Sequence, residues 1–397
     1  MKRTTGMKIA LSAVIGIFLL LHADPAEAKM KLSADSAVVM DVESGTILYE
    51  KNMDKREYPA SITKVMTALL AIENSSMDET VTYSKSAVLN LESGASNMEL
   101  KPGEKLSMED SLYGVLLRSA NEACNGVAEH IAGSVDNYVA MMNKRAKELG
   151  CTGTHFANAN GLWMKNHYTT SHDMALIARE AYKNPSFAKI TGTKRYSIKK
   201  TNKTKTGRLL VNHHGMLVAG QYPQYLYEYC VGGKTGFTSK CRYTLVTYAK
   251  KNNMTLVSVV MRADAPWDND NEYTDTLKLL NYGFENYARH TIKNDSMKDI
   301  SNNYLFTRFS PFYNSATTSL TVDEDAGVIL PKKVKLNQTK KKVEYYQSPK
   351  TDKKGRKIIG KISYTYNNKE VGGTSIYYAD TKPPTLNDSI DMLKWFD

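Results

Sequence analysis

The sequence predicts an α+β protein in two parts, a larger domain with an antiparallel sheet and a helical cluster, followed by a small all-β domain. Three observations support this prediction. Short apolar runs typical of strands stand at residues 37–49 and again at 225–261, on either side of a helical region. After about residue 292 the pattern changes to short alternating runs separated by turn residues. We therefore expect one sheet built from both ends of the first domain.

The first domain is predicted to begin with a β-hairpin and to continue with helices. The apolar runs Ala37–Met40 and Thr46–Tyr49 flank Gly45, a typical turn residue. The stretch from Ser61 to Glu73 has almost no polar face after Lys64, so we expect a buried helix. Further helices are predicted at Met108–Leu117, Glu122–Ile131, Val135–Leu149 and Thr170–Tyr182.

The rest of the chain is predicted mainly as strands. The polar, basic segment 194–214 is typical of an exposed loop or an edge hairpin. Three strands are then expected at Tyr225–Val231, Tyr243–Ala249 and Thr255–Met261, and a closing helix at Asp275–Tyr287. The alternating runs that define the second domain are Ser319–Val322, Gly327–Leu330, Val343–Tyr346, Ile358–Ile362 and Ser375–Tyr378. We divide the chain into a leader (1–28), a main domain (29–292), a β-rich domain (293–380) and a tail (381–397).

The predicted leader indicates where the protein acts, and therefore which anionic partners its positive charge favours. The 397 residues carry a formal charge of +12, which favours anionic partners. A basic start, the 13-residue apolar run Ile9–Leu21 and the small-residue pattern Ala26-Glu27-Ala28 indicate a secretory signal cleaved before Lys29. The run is short for an uncleaved membrane anchor. We therefore expect an exported, extracytoplasmic protein of the cell envelope with no nucleic-acid partner.

Cysteines and acidic residues give no metal pattern. The four cysteines show no Cys-x-x-Cys or Cys/His cluster, so neither a metal site nor a cofactor is expected. The acidic run 268–272 lacks the glycine and glutamate of a calcium loop. Cys124 is interpreted as a small core residue, and a bridge between Cys230 and Cys241 is left open.

The candidate chemistry lies in three motifs and their order. Ser-x-x-Lys at a helix start puts a hydroxyl and an amine on one face, where a neutral lysine can deprotonate the serine. The pattern occurs three times, but only Ser61–Lys64 is followed by a Ser-x-Asn, at Ser119–Asn121, and then by a Lys-Thr-Gly. Order therefore selects Ser61 as the nucleophile. Lys-Thr-Gly itself occurs at 205–207 and 234–236, and the strand pattern around Lys234 favours the second copy.

Together these motifs resemble those of D-alanyl-D-alanine carboxypeptidases, the low-molecular-mass penicillin-binding proteins of serine peptidase family S11. That family shares its fold with class A β-lactamases, so the resemblance implies a β-lactamase/DD-peptidase-like main domain. The matching stretches cover nearly all of the chain after the leader. They are Pro59–Lys64, Ser96–Glu104, Leu116–Ala123, Asn160–Leu162, His167–Ala175, Gly233–Thr238, Gly327–Pro331 and Asn368–Gly372.

The resemblance also implies an activity and roles for the site residues. Ser61 is expected to attack the bond between the two D-alanines of a peptidoglycan stem pentapeptide, with Lys64 taking its proton. Ser119 is expected to relay a proton to the leaving amine, and Asn121 to hold substrate and Lys64. The remaining expected substrate contacts lie on one strand, at Lys234, Thr235, Gly236 and Phe237. β-Lactam antibiotics are expected to acylate Ser61, and the N–H groups of Ser61 and Phe237 to form the oxyanion hole.

Some positions depart from the family pattern. Cys241-Arg242 stands where relatives often have Ala-Gly, and 269–272 stands where some relatives carry an arginine for the substrate carboxylate. Carboxylate binding is therefore assigned to Thr235 or to an arginine such as Arg208. His167 is interpreted as a structural hydrogen-bonding residue. Residues 385–397 of the tail carry three aspartates and one lysine beside their apolar face, which predicts at most a weak amphipathic anchor and peripheral membrane contact.

The motifs disfavour two rival functions and leave a third open. A class A β-lactamase needs a Glu-x-x-Leu-Asn loop, which the chain lacks. A non-catalytic wall-binding protein is disfavoured because Ser61, Lys64 and Lys234 are all present. A DD-transpeptidase or endopeptidase of the same fold stays open, because the motifs do not encode the choice of acceptor.

Overall fold

The computed structural model describes residues 30–301 and 320–378, apart from 93, 221, 270, 353 and 354. The predicted leader and the predicted tail lie outside the described residues. Within the described part of the chain, no helix is long and apolar enough to cross a membrane.

The first part of the chain contains a five-stranded antiparallel sheet and the helices that pack on it. The sheet has the order β2-β1-β9-β8-β7, so both ends of the domain contribute to it, as predicted. Its strands are β1 (Ser36–Asp41), β2 (Ile47–Lys51), β7 (Cys230–Thr238), β8 (Arg242–Lys251) and β9 (Met254–Ala263). Strand β7 lies at one edge, which leaves one side of its backbone without a strand partner among the described residues.

The helical region lies between β2 and β7 in the chain. Its helices are α1 (Lys64–Asn74), α2 (Lys85–Leu89), α3 (Met108–Leu117), α4 (Asn121–Ala132), α5 (Val135–Glu148), α6 (Ser171–Tyr182) and α7 (Pro185–Gly192). Two small hairpins stand beside them, formed by β3 (Thr80–Thr82) with β4 (Lys105–Ser107) and by β5 (Arg195–Ile198) with β6 (Arg208–Val211). The closing helix α8 runs over Glu272–Asn286. Helix α1 is buried from Lys64 to Ala71, as its lack of a polar face predicts.

The predicted strand Tyr225–Val231 is wrong in its extent. Pro223–Tyr225 forms a 3₁₀ turn, and strand β7 begins only at Cys230. The ring of Tyr225 stacks on Tyr273 with centroids 5.0 Å apart, and its hydroxyl donates to the carbonyl of Pro266. Tyr225 is therefore packed against helix α8 and the loop at Pro266, so it is buried without being part of a strand.

The bridge between Cys230 and Cys241 that the sequence left open is not formed, because all four cysteines are free and buried among the described residues. Cys230 begins strand β7, and Cys241 follows the end of that strand. A strand of nine residues separates the two positions by roughly 25 Å or more, far beyond the Cα separation of a disulfide.

The second sheet forms the all-β region. Its strands are β10 (Tyr287–Thr291), β11 (Leu320–Val322), β12 (Gly327–Pro331), β13 (Lys340–Thr351), β14 (Lys357–Tyr366) and β15 (Lys369–Tyr378). The order is β10-β12-β15-β14-β13, with β11 paired to β15. Strand β13 is an edge strand that carries Lys340, Lys341, Lys342 and Lys350. A short helix, α9 (Lys293–Ser301), which the sequence pattern did not predict, accompanies the sheet.

Each part has its own apolar core. The large cluster of the first part runs from Val38 to Met261, and that of the second from Ile292 to Ile376, with no residue in common. Strand β10 lies before the predicted boundary at residue 292, yet it pairs with β12 of the second sheet. The second sheet therefore begins at Tyr287, directly after α8.

Candidate active site

Ser61 lies in a 3₁₀ turn, Ala60–Thr63, that leads directly into α1. Ala60 has a left-handed backbone, with φ of 51°. The turn is held from two sides. The hydroxyl of Thr244 on β8 donates to the carbonyl of Pro59 at 2.9 Å, and the loop at Gly161 packs against the carbonyl of Ala60. A Cβ at Gly161 would lie 2.0 Å from that carbonyl oxygen, so glycine is required.

Lys64 is fully buried one helical turn after Ser61. Its Nζ lies 3.0 Å from Oγ of Ser61, 2.8 Å from Oδ1 of Asn121 and 2.5 Å from the carbonyl oxygen of Asn160. A neutral amine has two N–H donors and one lone pair. Two N–H groups aimed at Asn121 and Asn160 leave the lone pair for the hydroxyl of Ser61. Burial lowers the pKa of Lys64, which favours this neutral form.

The Ser-x-Asn motif forms the turn between α3 and α4. Ser119 is buried and has a left-handed backbone, with φ of 57°, and Asn121 is the first residue of α4. The backbone N–H and the side-chain amide of Asn121 both donate to the carbonyl of Ser96, at 2.9 and 2.8 Å. The loop that begins at Ser96 therefore fixes the amide that accepts from Lys64.

Strand β7 brings the second Lys-Thr-Gly motif close to Ser61. Lys234 is 2% exposed, and its Nζ donates to the carbonyl of Thr235 at 2.7 Å. Burial lowers the pKa of Lys234, and Lys64 lowers it further when that amine is protonated. A Cβ at Gly236 would lie 2.9 Å from the backbone nitrogen of Ser61, so only glycine allows the strand to approach this closely. Thr235 is half-buried, and Phe237 is 56% exposed at the rim.

His167 supports the turn, as the sequence interpretation expects. Its Nδ1 accepts from the N–H of Ala157 at 3.0 Å, so the ring proton is on Nε2, which donates to the hydroxyl of Thr63 at 2.8 Å. Burial lowers its pKa to about 3, so the ring is neutral at physiological pH. The contact between Lys64 and the carbonyl of Asn160 could not be predicted from sequence, because every residue has a backbone carbonyl.

Arg208 does not serve as a carboxylate-binding arginine in this arrangement. Its guanidinium pairs with Glu104, which is fully buried, through bonds of 2.7 and 3.0 Å, and also donates to the carbonyl of Glu99 at 3.1 Å. Burial would raise the pKa of Glu104, but Arg208, Thr201 and a backbone N–H together lower it. The ion pair stabilises the same loop that holds Asn121, so Arg208 supports the site indirectly, by keeping that loop in place.

The other Lys-Thr-Gly lies away from this arrangement. Lys205 stands on the exposed connection between β5 and β6, and its side chain is open to solvent. Within the described residues no group of three or more His, Cys, Asp or Glu side chains could hold a metal ion.

A serine, a buried lysine and a second lysine on an edge strand, on a sheet flanked by helices, define a serine hydrolase of the penicillin-binding type. The family model described as D-alanyl-D-alanine carboxypeptidase matches residues 23–265. The D-alanyl-D-alanine carboxypeptidase DacF of Bacillus subtilis is 33% identical over 354 residues, covering 85% of each chain. DacC of Escherichia coli is 30% identical, covering 86% of this chain and 82% of its own.

Solved structures agree with these sequence relatives. A D-alanyl-D-alanine carboxypeptidase from Mycobacterium tuberculosis superposes with a TM-score of 0.60 at 29% identity, covering 66% of this chain and 94% of its own. The Streptomyces K15 DD-transpeptidase gives a TM-score of 0.58 at 30% identity, covering 65% of this chain and all of its own. The chain belongs to the D-alanyl-D-alanine carboxypeptidase family of serine peptidases, and the predicted fold class and enzyme class are confirmed.

Proposed function

We propose that the protein removes the terminal D-alanine from peptidoglycan stem pentapeptides through an acyl-enzyme on Ser61. The observation that carries the proposal is the contact set of Lys64. With its two N–H groups on Asn121 and Asn160, the amine offers its lone pair to the hydroxyl that must lose a proton.

In the first step Oγ of Ser61 attacks the carbonyl carbon of the penultimate D-alanine while Lys64 takes the hydroxyl proton. The negative charge on the carbonyl oxygen is stabilised by the N–H groups of Ser61 and Phe237. The C–N bond then breaks, and the leaving amine receives a proton through Ser119. Water next attacks the acyl-enzyme and returns Ser61 to its starting form.

Lys234 and Thr235 are proposed to receive the terminal carboxylate of the substrate. The closeness of Gly236 to the backbone of Ser61 supports this role, because it brings the whole motif against the nucleophile. The positive charge of Lys234 also opposes protonation of Lys64. A β-lactam carries a carboxylate and an acyl carbonyl of similar spacing, so we propose that it acylates the same serine.

The deciding experiment uses a fluorescent penicillin and a synthetic pentapeptide. Ser61→Ala should abolish labelling and release of D-alanine while its circular dichroism spectrum stays that of the wild type. Ser186→Ala, in another Ser-x-x-Lys, is the matched control and should react normally. Labelling that persists in Ser61→Ala contradicts the assignment.

Transpeptidation is the second candidate, since one similar solved structure is named a DD-transpeptidase. Incubation of the enzyme with a disaccharide pentapeptide, followed by mass spectrometry, separates the two. Loss of one alanine supports the carboxypeptidase, and peptide dimers support transfer to a second stem.

We further propose that the enzyme acts outside the cytoplasm, since its substrate is a wall peptide and residues 1–28 have the pattern of a secretory signal. Peripheral membrane contact through residues 381–397 stays a prediction. Fractionation of cells, with and without residues 385–397, tests both statements.

A further inference from the structure

A row of three aromatic side chains begins at the rim of the proposed active site and runs into solvent. Phe237 on β7 lies opposite Tyr243 on β8, with ring centroids 4.6 Å apart. Tyr243 meets Trp267 edge-on at 6.1 Å. Phe237 is 56% exposed and Trp267 is 74% exposed. Two large apolar side chains left in water beside a reaction centre are typical of a binding surface.

The loop that carries Trp267 is held firmly. The hydroxyl of Tyr225 donates to the carbonyl of Pro266 at 3.0 Å, and the side-chain amide of Asn271 donates to the carbonyl of Asp268 at 2.6 Å. The same amide reaches the hydroxyl of Tyr225 at 2.8 Å. Because these polar groups fix both sides of Trp267, the indole is presented without a large ordering cost on binding.

The charges beside this row differ along its length: Lys240 is exposed in the turn after β7, three residues beyond Phe237, whereas Asp268 is exposed directly after Trp267. Asp264 is neutralised by an ion pair with Arg242. Burial raises the pKa of Glu272 to about 8, so that carboxyl is mostly neutral at pH 7. Burial raises the pKa of the Tyr243 hydroxyl most, and the charge of the exposed Asp268 raises it further. The exposed end of the aromatic row at Trp267 is therefore followed directly by the exposed carboxylate of Asp268.

The proposed function fixes which part of the substrate comes here. If the terminal carboxylate lies at Lys234 and Thr235 and the scissile carbonyl at the N–H of Phe237, the substrate runs along β7 towards Thr238. The residue before the two D-alanines in a stem peptide is a diamino acid, whose side chain is an aliphatic arm that ends in an ammonium group. An arm of this kind suits an aromatic wall, and its cation suits aromatic faces and a carboxylate.

We propose that Tyr243, Trp267 and Asp268 form a subsite for the side-chain ammonium of the diamino acid that precedes D-Ala-D-Ala. The aliphatic arm packs along Phe237 and Tyr243, and the ammonium lies against Trp267 and Asp268. This inference rests on the proposed function. It adds that the enzyme selects its substrate by the side-chain ammonium of the diamino acid.

Three acyl-tripeptides test the subsite: Nα-acetyl-Lys-D-Ala-D-Ala with a free ammonium, its Nε-acetyl derivative, and Nα-acetyl-norleucyl-D-Ala-D-Ala. The wild type should favour the free ammonium over both neutral peptides by roughly fivefold or more in kcat/KM, through KM. Trp267→Ala should reduce this preference to less than twofold, and Trp267→Phe should restore most of it. Asp268→Asn should weaken the preference, and added salt should weaken it in the wild type.

Two control variants, Leu226→Ala and Asp78→Asn, remove an exposed apolar side chain and an exposed carboxylate elsewhere, and should keep the full preference. Equal turnover of the three peptides by the wild type, or an undiminished preference in Trp267→Ala, overturns the subsite. Failure of the proposed function looks different, because penicillin labelling and turnover of all three peptides would then be lost together.

Discussion

Lys234 and Lys205 both begin a Lys-Thr-Gly triplet, and the structure gives them opposite surroundings. Lys234 is buried on β7, beside the turn that carries Ser61, whereas Lys205 stands in solvent on a hairpin connection. A buried charge acts strongly on its neighbours, and a solvated one is screened. Lys234→Ala should therefore slow acylation of Ser61 by penicillin on the order of 10²-fold, and Lys205→Ala should leave it almost unchanged.

The pH profile gives a second measurement for the same pair of variants. In the proposed mechanism acylation needs neutral Lys64, so its rate should fall in acid as that amine becomes protonated. Removing the positive charge of Lys234 makes protonation of Lys64 easier, which raises the pKa of Lys64. The acid limb should therefore move to higher pH in Lys234→Ala and stay in place in Lys205→Ala. Normal acylation in Lys234→Ala with loss in Lys205→Ala would reverse the assignment.

At the scale of single residues, the order of the motifs identifies the side chains of the site but does not predict which groups they contact. Ser61, Lys64 and Asn121 follow from the order of the motifs, and the structure brings all three into contact. The carbonyl of Asn160 could not be predicted, because every residue has one. Arg208, one of two alternatives for the substrate carboxylate, could not be placed from sequence, because its partner Glu104 lies 104 positions away.

At the scale of elements, the loop at Gly161 holds the nucleophile turn. Gly161 has φ of 84°, and a Cβ there would meet the carbonyl of Ala60. Gly161→Ala should therefore displace the turn and slow penicillin acylation at least tenfold, measured by stopped-flow fluorescence. Gly133 has a similar φ of 75° but nothing within 4 Å of a Cβ. Gly133→Ala should cost about 1 kcal/mol of stability and no activity, and equal kinetic losses in both variants would refute the steric argument.

The ion pair between Arg208 and Glu104 ties the β5–β6 hairpin to the loop that supports Asn121. Removing Arg208 leaves a buried carboxylate without its partner, so Arg208→Met should lower the free energy of unfolding by about 3 kcal/mol. The double variant with Glu104→Met should recover most of that loss, as urea unfolding can measure. Lys189→Met breaks an exposed pair with Glu109 and should cost about 0.5 kcal/mol or less. A double variant no more stable than Arg208→Met would show that the pair is not the cause.

Long periodic elements were predictable from sequence, and short ones were not. Helix α3 begins and ends where its apolar pattern does, at Met108 and Leu117. The strands β3 and β4 have three residues each, too few for alternation to be visible. Helix α7 begins with the N-cap Asn184 and with Pro185. These are local signals for a helix start, which apolar periodicity does not detect.

At the scale of the whole molecule, the separate cores predict that the catalytic part folds alone. A fragment of residues 30–286 should be soluble and should react with penicillin at the rate of the longer chain. A fragment of 30–292 keeps β10 without its partner β12 and should associate more strongly on size-exclusion chromatography. Insoluble 30–286 beside well-behaved 30–292 would contradict this division.

Strand β13 has a consequence for how the molecules behave when they are concentrated. An edge strand offers unpaired backbone groups to the same edge of another molecule, and such pairing is a route to aggregation. Lys340 and Lys350 put positive charge on that edge, whereas Lys341 and Lys342 pair with Asp295 and Glu344. Two copies that approach edge to edge would bring like charges together, and the repulsion opposes the pairing that the backbone would otherwise permit. Crowded at a surface, the enzyme can therefore stay dispersed, and raised ionic strength should weaken that protection.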